Sequence, residues 1–264
     1  MTQQTVFITG ASSGIGLAMA QEYARAGARL GLLGRRAEVL EQVRASLPNA
    51  QQHEVYAVDV CVEADLHAAA RDFIAKHGAP DIVVAAAGIS VGTWTEHYED
   101  LVQIRRVFET NVLAMASTFH PFIAPMSARG QGALVGIASV AGIRGLVGSE
   151  AYCASKAAVI SYCESLRGEL RKTGVKVLTI SPGYVATPLT AANPYQMPFL
   201  MQPEDFAKRA VRAVARQTSY TVIPWQMGVV AKLLRVLPNT WFDALFANKQ
   251  HKPRAATPTD TQVQ

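Results

Sequence analysis

Seven short apolar runs punctuate this chain, and between them lie longer stretches whose apolar residues recur at helical spacing. The runs are Thr5–Thr9, Arg29–Leu33, Glu54–Val58, Asp81–Ala85, Ala133–Ala138, Lys176–Ile180 and Tyr220–Ile223. Most are apolar on both faces, as strands covered by helices above and below must be, whereas a strand with one wet face alternates. Strands alternating with helical stretches build βαβ units and a parallel sheet. The fold class expected is therefore α/β: one doubly wound, seven-stranded parallel sheet with helices on both faces. The helices are expected at Gly14–Ala26, Arg36–Ser46, Val62–His77, Glu99–Met126, Glu150–Thr173 and Pro203–Arg216, each closed by Gly, Pro or Asn. With 264 residues, 50% of them hydrophobic and 17% charged, the chain fills one large core and is no disordered scaffold. A single domain is expected over residues 1–248, followed by a polar, disordered tail at 249–264.

No apolar run reaches the roughly 18 residues that a transmembrane helix needs, and no basic segment precedes the first strand, so a cytoplasmic protein is expected. Cys61, Cys153 and Cys163 are odd in number and form no C-x-x-C, and the six histidines lack ligand spacing; neither a disulfide framework nor a metal is expected. The formal charge of +5 is unevenly placed: residues 206–254 carry +8 and the remainder −3. The basic residues lack interleaved aromatics at a recognisable spacing, which argues against nucleic acid.

Two stretches stand outside the simple alternation. Residues 183–203 carry four prolines among Tyr195, Met197, Phe199, Leu200 and Met201, and they follow a strand at the carboxyl edge, where open α/β sheets bind ligands. A long connection there with this apolar content reads as a lid. In residues 225–246, Val229, Val230, Leu233, Leu234 and Leu237 share one helical face, with Lys232 and Arg235 opposite, before Pro238 breaks the run. This amphipathic segment fits peripheral contact with an anionic membrane, a subunit contact, or packing on the domain itself.

The chemistry begins at Thr9-Gly10-Ala11-Ser12-Ser13-Gly14-Ile15-Gly16, between the first strand and the first helix. Gly10 permits the tight turn, Gly14 lets backbone approach a pyrophosphate, and Gly16 lets the helix pack close; the helix N-terminus offers N–H donors to the anion. A dinucleotide is the natural ligand of this Rossmann-type arrangement. At the end of the second strand, Gly34-Arg35-Arg36 stands where a cofactor with a free ribose 2′-hydroxyl meets a carboxylate. Room at Gly34 and charge at Arg35 favour a 2′-phosphate instead, with Arg36 placed to stack on adenine.

Farther along, Tyr152 and Lys156 stand at i and i+4 on one helix face. A phenol of pKa about 10 is a poor proton donor or acceptor at neutral pH, and a fixed cation beside it lowers that value. Ser139 ends the fifth strand at the same carboxyl edge, and Asn111 lies in the long helix after the fourth.

These residues together resemble the short-chain dehydrogenase/reductase family, nearly throughout the chain to Thr187. Thr9 to Gly16 is similar to its T-G-x-x-x-G-x-G turn. Asp59 matches its adenine-contacting aspartate, and Asn111, Ser139, Tyr152 and Lys156 match its catalytic tetrad in order and spacing. Pro182, Gly183 and Thr187 match the segment that holds the nicotinamide. The resemblance implies that Ser12, Ser13, Ile15, Val60 and Ala87 also line the cofactor. It further implies that Tyr152 protonates a carbonyl oxygen to which Ser139 hydrogen-bonds, that Lys156 lowers the Tyr152 pKa and holds the nicotinamide ribose, and that Asn111 anchors a relay water. Gly34 with Arg35 resembles the NADP-preferring members. Two departures stand out: Ala86-Ala87-Gly88 replaces the usual N-A-G, and the usual ending is replaced by the amphipathic segment at 225–246.

The function expected is hydride transfer between NADP(H) and a ketone or secondary alcohol, made lipophilic by Met197, Phe199, Leu200 and Met201 of the lid. A homo-oligomer, with a dimer favoured, is implied by the resemblance. The alternative is a non-catalytic dinucleotide sensor or membrane-associated binding protein on the same fold, which has no need of Ser139, Tyr152 and Lys156.

Overall fold

The computed structural model describes residues 3–247 and 250–254. Its centre is one sheet of seven parallel strands in the order β3-β2-β1-β4-β5-β6-β7. The strands are β1 (Thr5–Thr9), β2 (Arg29–Gly34), β3 (Glu54–Ala57), β4 (Ile82–Ala85), β5 (Gly132–Ile137), β6 (Val175–Pro182) and β7 (Tyr220–Ile223). The chain starts in the middle, winds outward to β3, and crosses back to β4. The order thus reverses between β1 and β4, and the carboxyl ends of these two strands part to leave a crevice, the place where open α/β sheets receive ligands.

The core confirms the two-faced reading of the strands. Val6 and Ile8 of β1 pack into one apolar cluster and Phe7 into the other; Ile82 and Val84 of β4 part in the same way from Val83 and Ala85. On the first face lie α1 (Gly14–Arg25), α2 (Ala37–Ser46) and α8 (Pro203–Ala215), which contribute Met19, Tyr23, Leu40 and Phe206. On the second lie α3 (Glu63–His77), α5 (Ala114–Arg129) and α6 (Glu150–Glu169), with Phe73, Phe119, Phe122 and Val159. Side chains of a strand alternate between faces, so a run apolar at every position must feed two cores.

The long helix expected at Glu99–Met126 is two helices, α4 (Asp100–Phe108) and α5, joined by a π-helical turn at Glu109–Leu113 that contains Asn111. A π-turn inserts one extra residue into the helical ladder, and such turns recur at functional sites. Residues 183–203 contain one short helix, α7 (Pro188–Ala191), and are closed at their ends by a bridge between Val185 and Met201.

After β7 come α9 (Trp225–Val236) and α10 (Asn239–Phe246). Of the face expected to be apolar in α9, part is left uncovered by the domain. Met227, Gly228 and Ala231 are the buried residues of α9, while Val229 and Leu233 face solvent. Small residues let the helix lie close on the sheet: an added Cβ at Gly228 would stand 3.1 Å from Val222, and Met227 fills the space over Gly183. Arg144 fastens the two helices by donating to the carbonyls of Leu234, Arg235 and Leu237 and to Asn239 Oδ1, with its guanidinium 3.9 Å from the centre of the Phe242 ring.

The expected disordered tail also needs correction where it is described. Residues 250–254 lie docked against the domain: Lys252 is buried and Arg254 is paired with Asp100. Of the charges counted in the basic C-terminal segment, Lys252 therefore points inward, and Arg254, itself exposed, is neutralised by a buried carboxylate. Residues 249 and 255–264 of that expectation lie outside the described residues. No helix among the described residues is long and apolar enough to cross a membrane.

Candidate active site

A cavity of about 440 Å³ opens at the carboxyl ends of β1 and β4, and the glycine turn forms its floor. Gly10 has φ +71 and packs so tightly that an added Cβ would stand 2.8 Å from the Ala87 nitrogen; one on Gly16 would stand 2.3 Å from the Gly10 carbonyl oxygen. Both contacts are impossible for any other residue, so the turn and the start of α1 exist in this form only because these positions lack side chains. Ser13 begins α1 in extended conformation without a side-chain cap, which leaves the first N–H groups of the helix to an anion. The cradle therefore fits a pyrophosphate.

Of the residues expected to line a cofactor, Gly10, Ser12, Ser13, Gly14, Ile15, Gly16, Arg35, Arg36, Asp59, Val60, Ala87, Tyr152, Lys156, Pro182, Gly183 and Thr187 all border this one cavity. The two arginines have different partners. Arg36 donates to the Ser12 hydroxyl at 3.3 Å, beside Gly34, whereas Arg35 turns to Asp59 with 3.9 Å between charged atoms. The guanidinium nearest the glycine turn is thus that of Arg36. Arg35 stands closer to a carboxylate, which competes for its charge.

Ser139 and Tyr152 meet at the inner end. Ser139 follows β5 in extended conformation, and its Oγ accepts from Ala141 N at 3.1 Å. That acceptance leaves the hydroxyl proton free to be donated into the cleft. Burial pushes the Tyr152 phenol up to about 12, against a hydrogen bond from Ser139 that favours the ionised form. The Lys156 ammonium lies 5.8 Å from the Tyr152 ring centre and donates to the Ile137 carbonyl at 2.8 Å. Burial pulls Lys156 itself down to about 8. The ammonium thus stands on the Tyr152 side of α6 while its hydrogen bond goes to the end of β5.

Asn111 is buried and its amide is spent on structure. Its Oδ1 accepts from Ile89 N at 2.8 Å, and its Nδ2 donates to Ile89 O and to Ser155 Oγ, both at 3.0 Å. It ties the loop after β4 to α6, one residue from Lys156. Where Ala86 lacks an amide, Thr9 Oγ1 accepts from Ala87 N at 3.4 Å and links the ends of β1 and β4.

The lid residues are redistributed. Phe199 and Leu200 are 51% and 45% exposed, and Met201 enters the core to pair with Val185. Phe199 adopts φ +56 at the bend that returns the chain to that pairing, which carries its ring outward. The residues of this segment that do line the cavity are Gly183, Val185, Thr187, Pro188, Leu189 and Thr190. Tyr195 packs edge-on to Tyr184, ring centres 6.3 Å apart. Ile89, Arg106 and Thr110 also border the cavity and carried no signal in the sequence, since nothing in their spacing distinguishes them from ordinary loop and helix residues.

A glycine cradle at the switch point of a parallel sheet, with a tyrosine, a serine and a lysine at its inner end, defines a dinucleotide-dependent oxidoreductase. The comparisons with known proteins agree: the family model for short chain dehydrogenase matches residues 4–197, and the chain belongs to the short-chain dehydrogenase/reductase family. It is 39% identical over 248 residues to an uncharacterized oxidoreductase of Myxococcus xanthus, covering 92% of this chain and 96% of that one. Among solved structures it is similar to a short-chain dehydrogenase from Streptomyces avermitilis, with a TM-score of 0.78 and 25% identity over 93% of this chain and 95% of that one. It is also similar to a 3-ketoacyl-(acyl-carrier-protein) reductase from Brucella melitensis complexed with NADH, with a TM-score of 0.74 and 26% identity over 83% of this chain and 96% of that one.

Proposed function

We propose that this chain is an NADP(H)-dependent reductase of lipophilic ketones, running in reverse as a secondary-alcohol dehydrogenase. The observation that carries the cofactor reading is the Arg36 guanidinium held on Ser12 beside Gly34, a site with room and positive charge for a 2′-phosphate. The nicotinamide, when bound, supplies or accepts the hydride. The protein's own part is proton transfer: Tyr152 passes its phenolic proton to the carbonyl oxygen while the Ser139 hydroxyl donates a hydrogen bond to the same atom. A phenol held near 12 stays protonated at neutral pH, the state that reduction requires of an acid. Lys156, the only lysine among the described residues to border the cavity, is suited to the ribose hydroxyls.

Ile89, Val185 and Leu189 on the walls support an apolar substrate. The 3-ketoacyl reductase among the similar structures makes a medium-chain 3-oxoacyl thioester the first probe. A dimer through α4, α5 and α6 is supported by Val102 and Leu113, which stand exposed on that side. A cytoplasmic protein is proposed, with peripheral contact to anionic membranes through Trp225, Leu233 and Trp241, exposed beside Lys232 and Arg235.

The deciding experiment is a titration of wild type and Arg36→Gln with NADPH and NADH at fixed ionic strength. A charge-assisted contact worth about 1.5 to 3 kcal/mol corresponds to roughly 10- to 150-fold preference for NADPH, which Arg36→Gln should largely erase without moving the NADH affinity. Equal affinities in wild type would defeat the cofactor reading.

A further inference from the structure

The last described residues of the chain lie against the loop after β4, which runs on from the cavity wall at Ile89. His251 packs edge-on against Trp94 with ring centres 5.4 Å apart. Pro253 O accepts from Gly92 N at 3.1 Å, and Arg254 bridges to Gly92 as a parallel β-partner. The approach is so close that a Cβ on Gly92 would stand 2.1 Å from the Lys252 carbonyl oxygen. Arg254 then pairs in bidentate fashion with Asp100 of α4, at 2.8 and 3.0 Å, and that carboxylate is 3% exposed and also accepts from Trp94 N.

Between these anchors Lys252 turns inward. Its ammonium donates to Ser90 Oγ at 3.1 Å and to the Leu189 carbonyl at 2.9 Å. Ser90 follows Ile89, which lines one wall of the cavity, and Leu189 in α7 lines the lid on the other. One side chain thus joins the loop after β4 to the lid. Among the described residues Lys252 is in no ion pair, although it is buried. A buried cation held only by neutral oxygens is a weaker tie than the bidentate pair at Arg254, which is itself exposed but whose loss would leave the buried Asp100 carboxylate uncompensated. The two ends of the strap therefore differ: Arg254 is the hinge pin and Lys252 the clasp.

We infer that residues 251–254 form a latch on the substrate chamber, with Lys252 the positioning residue that clips α7 to the Ser90 loop. The inference rests on the reading of this cleft as the carbonyl site. Opening for substrate breaks the contact of Lys252 with the Leu189 carbonyl while Arg254 keeps the strap in place. The latch touches neither the glycine turn nor Arg36, so it acts on substrate admission and retention rather than on cofactor affinity.

The test compares wild type, Lys252→Met, Lys252→Arg and a chain ending at Gln250. Hydrogen exchange at residues 185–201 is measured without ligand, and NADPH affinity, KM and kcat are measured with a 3-oxodecanoyl thioester of N-acetylcysteamine. Lys252→Met and the shortened chain should speed lid exchange about tenfold and raise KM more than they lower kcat, with NADPH affinity within about twofold. Lys252→Arg, which keeps donors at the clasp, should recover much of the protection. Lid exchange in Lys252→Met within twofold of wild type would overturn the latch, as would an equal weakening of NADPH binding. If wild type turns over no thioester or other ketone, the proposed reaction fails, while the exchange measurement still decides the latch. If the shortened chain does not fold, the two point variants give the answer.

Discussion

Lys156→Met should make the unliganded protein more stable and inactive. Lys156 is 5% exposed, and its ammonium donates a hydrogen bond to the neutral Ile137 carbonyl. Burial lowers its pKa from 10.5 to about 8. At about 1.4 kcal/mol for each tenfold change in proton affinity, holding the charged form costs on the order of 3 kcal/mol at pH 7. Methionine removes that cost, keeps most of the chain's volume, and leaves the Ile137 carbonyl without this donor, a loss of about 1 to 2 kcal/mol. The net gain is about 1 to 2 kcal/mol, or roughly 2 to 8 °C in Tm for a chain of this size. The sign with pH follows from the depressed value. Between about pH 8 and 10.5 the unfolded chain binds this proton more tightly than the folded one, so the wild-type penalty is complete below 8 and fades as pH rises through that window. Thermal melts of both proteins at pH 7 and pH 10.5 should show the variant ahead in the first and level or behind in the second. A variant less stable than wild type at pH 7, or a gain unchanged by pH, would refute the argument.

Tyr152→Phe should cut ketone reduction by about 10²- to 10⁴-fold, read by steady-state kinetics, and leave NADPH affinity within about twofold. Because the phenol is pushed up to about 12, alcohol oxidation, which needs it as a base, should keep rising with pH through the alkaline range while reduction does not. Arg144→Leu removes the donors to three carbonyls at the end of α9 and the cation over Phe242; urea melts should show a loss of about 2 to 4 kcal/mol.

The strands and the glycine turn were legible because their requirements are local. A buried parallel strand must be apolar at successive positions, and a turn that cradles an anion must lack side chains where backbone meets backbone. Tyr152, Lys156 and Ser139 could be placed at one edge because a strand end and a helix spacing fix them. What escaped depended on contacts between distant segments. The π-turn at Glu109–Leu113 has no compositional mark and follows from Asn111 being drawn to Ile89 and Ser155. The burial of Met227, Gly228 and Ala231 over the larger Val229 and Leu233 was set by the closeness of α9 to β7, which hydrophobicity alone does not encode. Arg35 and Arg36 were told apart only by Ser12 and Asp59, far off in the chain. The tail read as disordered because Lys252 and Arg254 look like solvated charges until Ser90, Leu189 and Asp100 are seen around them.

The amide of Asn111 has a consequence for how such a chain can change over generations. By bonding the loop after β4 to α6, it makes the reacting end of the cleft one rigid body, whose residues cannot be exchanged singly without leaving a buried polar group unpaired. The chamber's outer walls, a proline-rich connection and residues 251–254, meet that body through one lysine and through backbone carbonyls, which do not depend on the side chains around them. New substrates can therefore be acquired by rewriting those peripheral pieces while the inherited chemistry is carried along untouched.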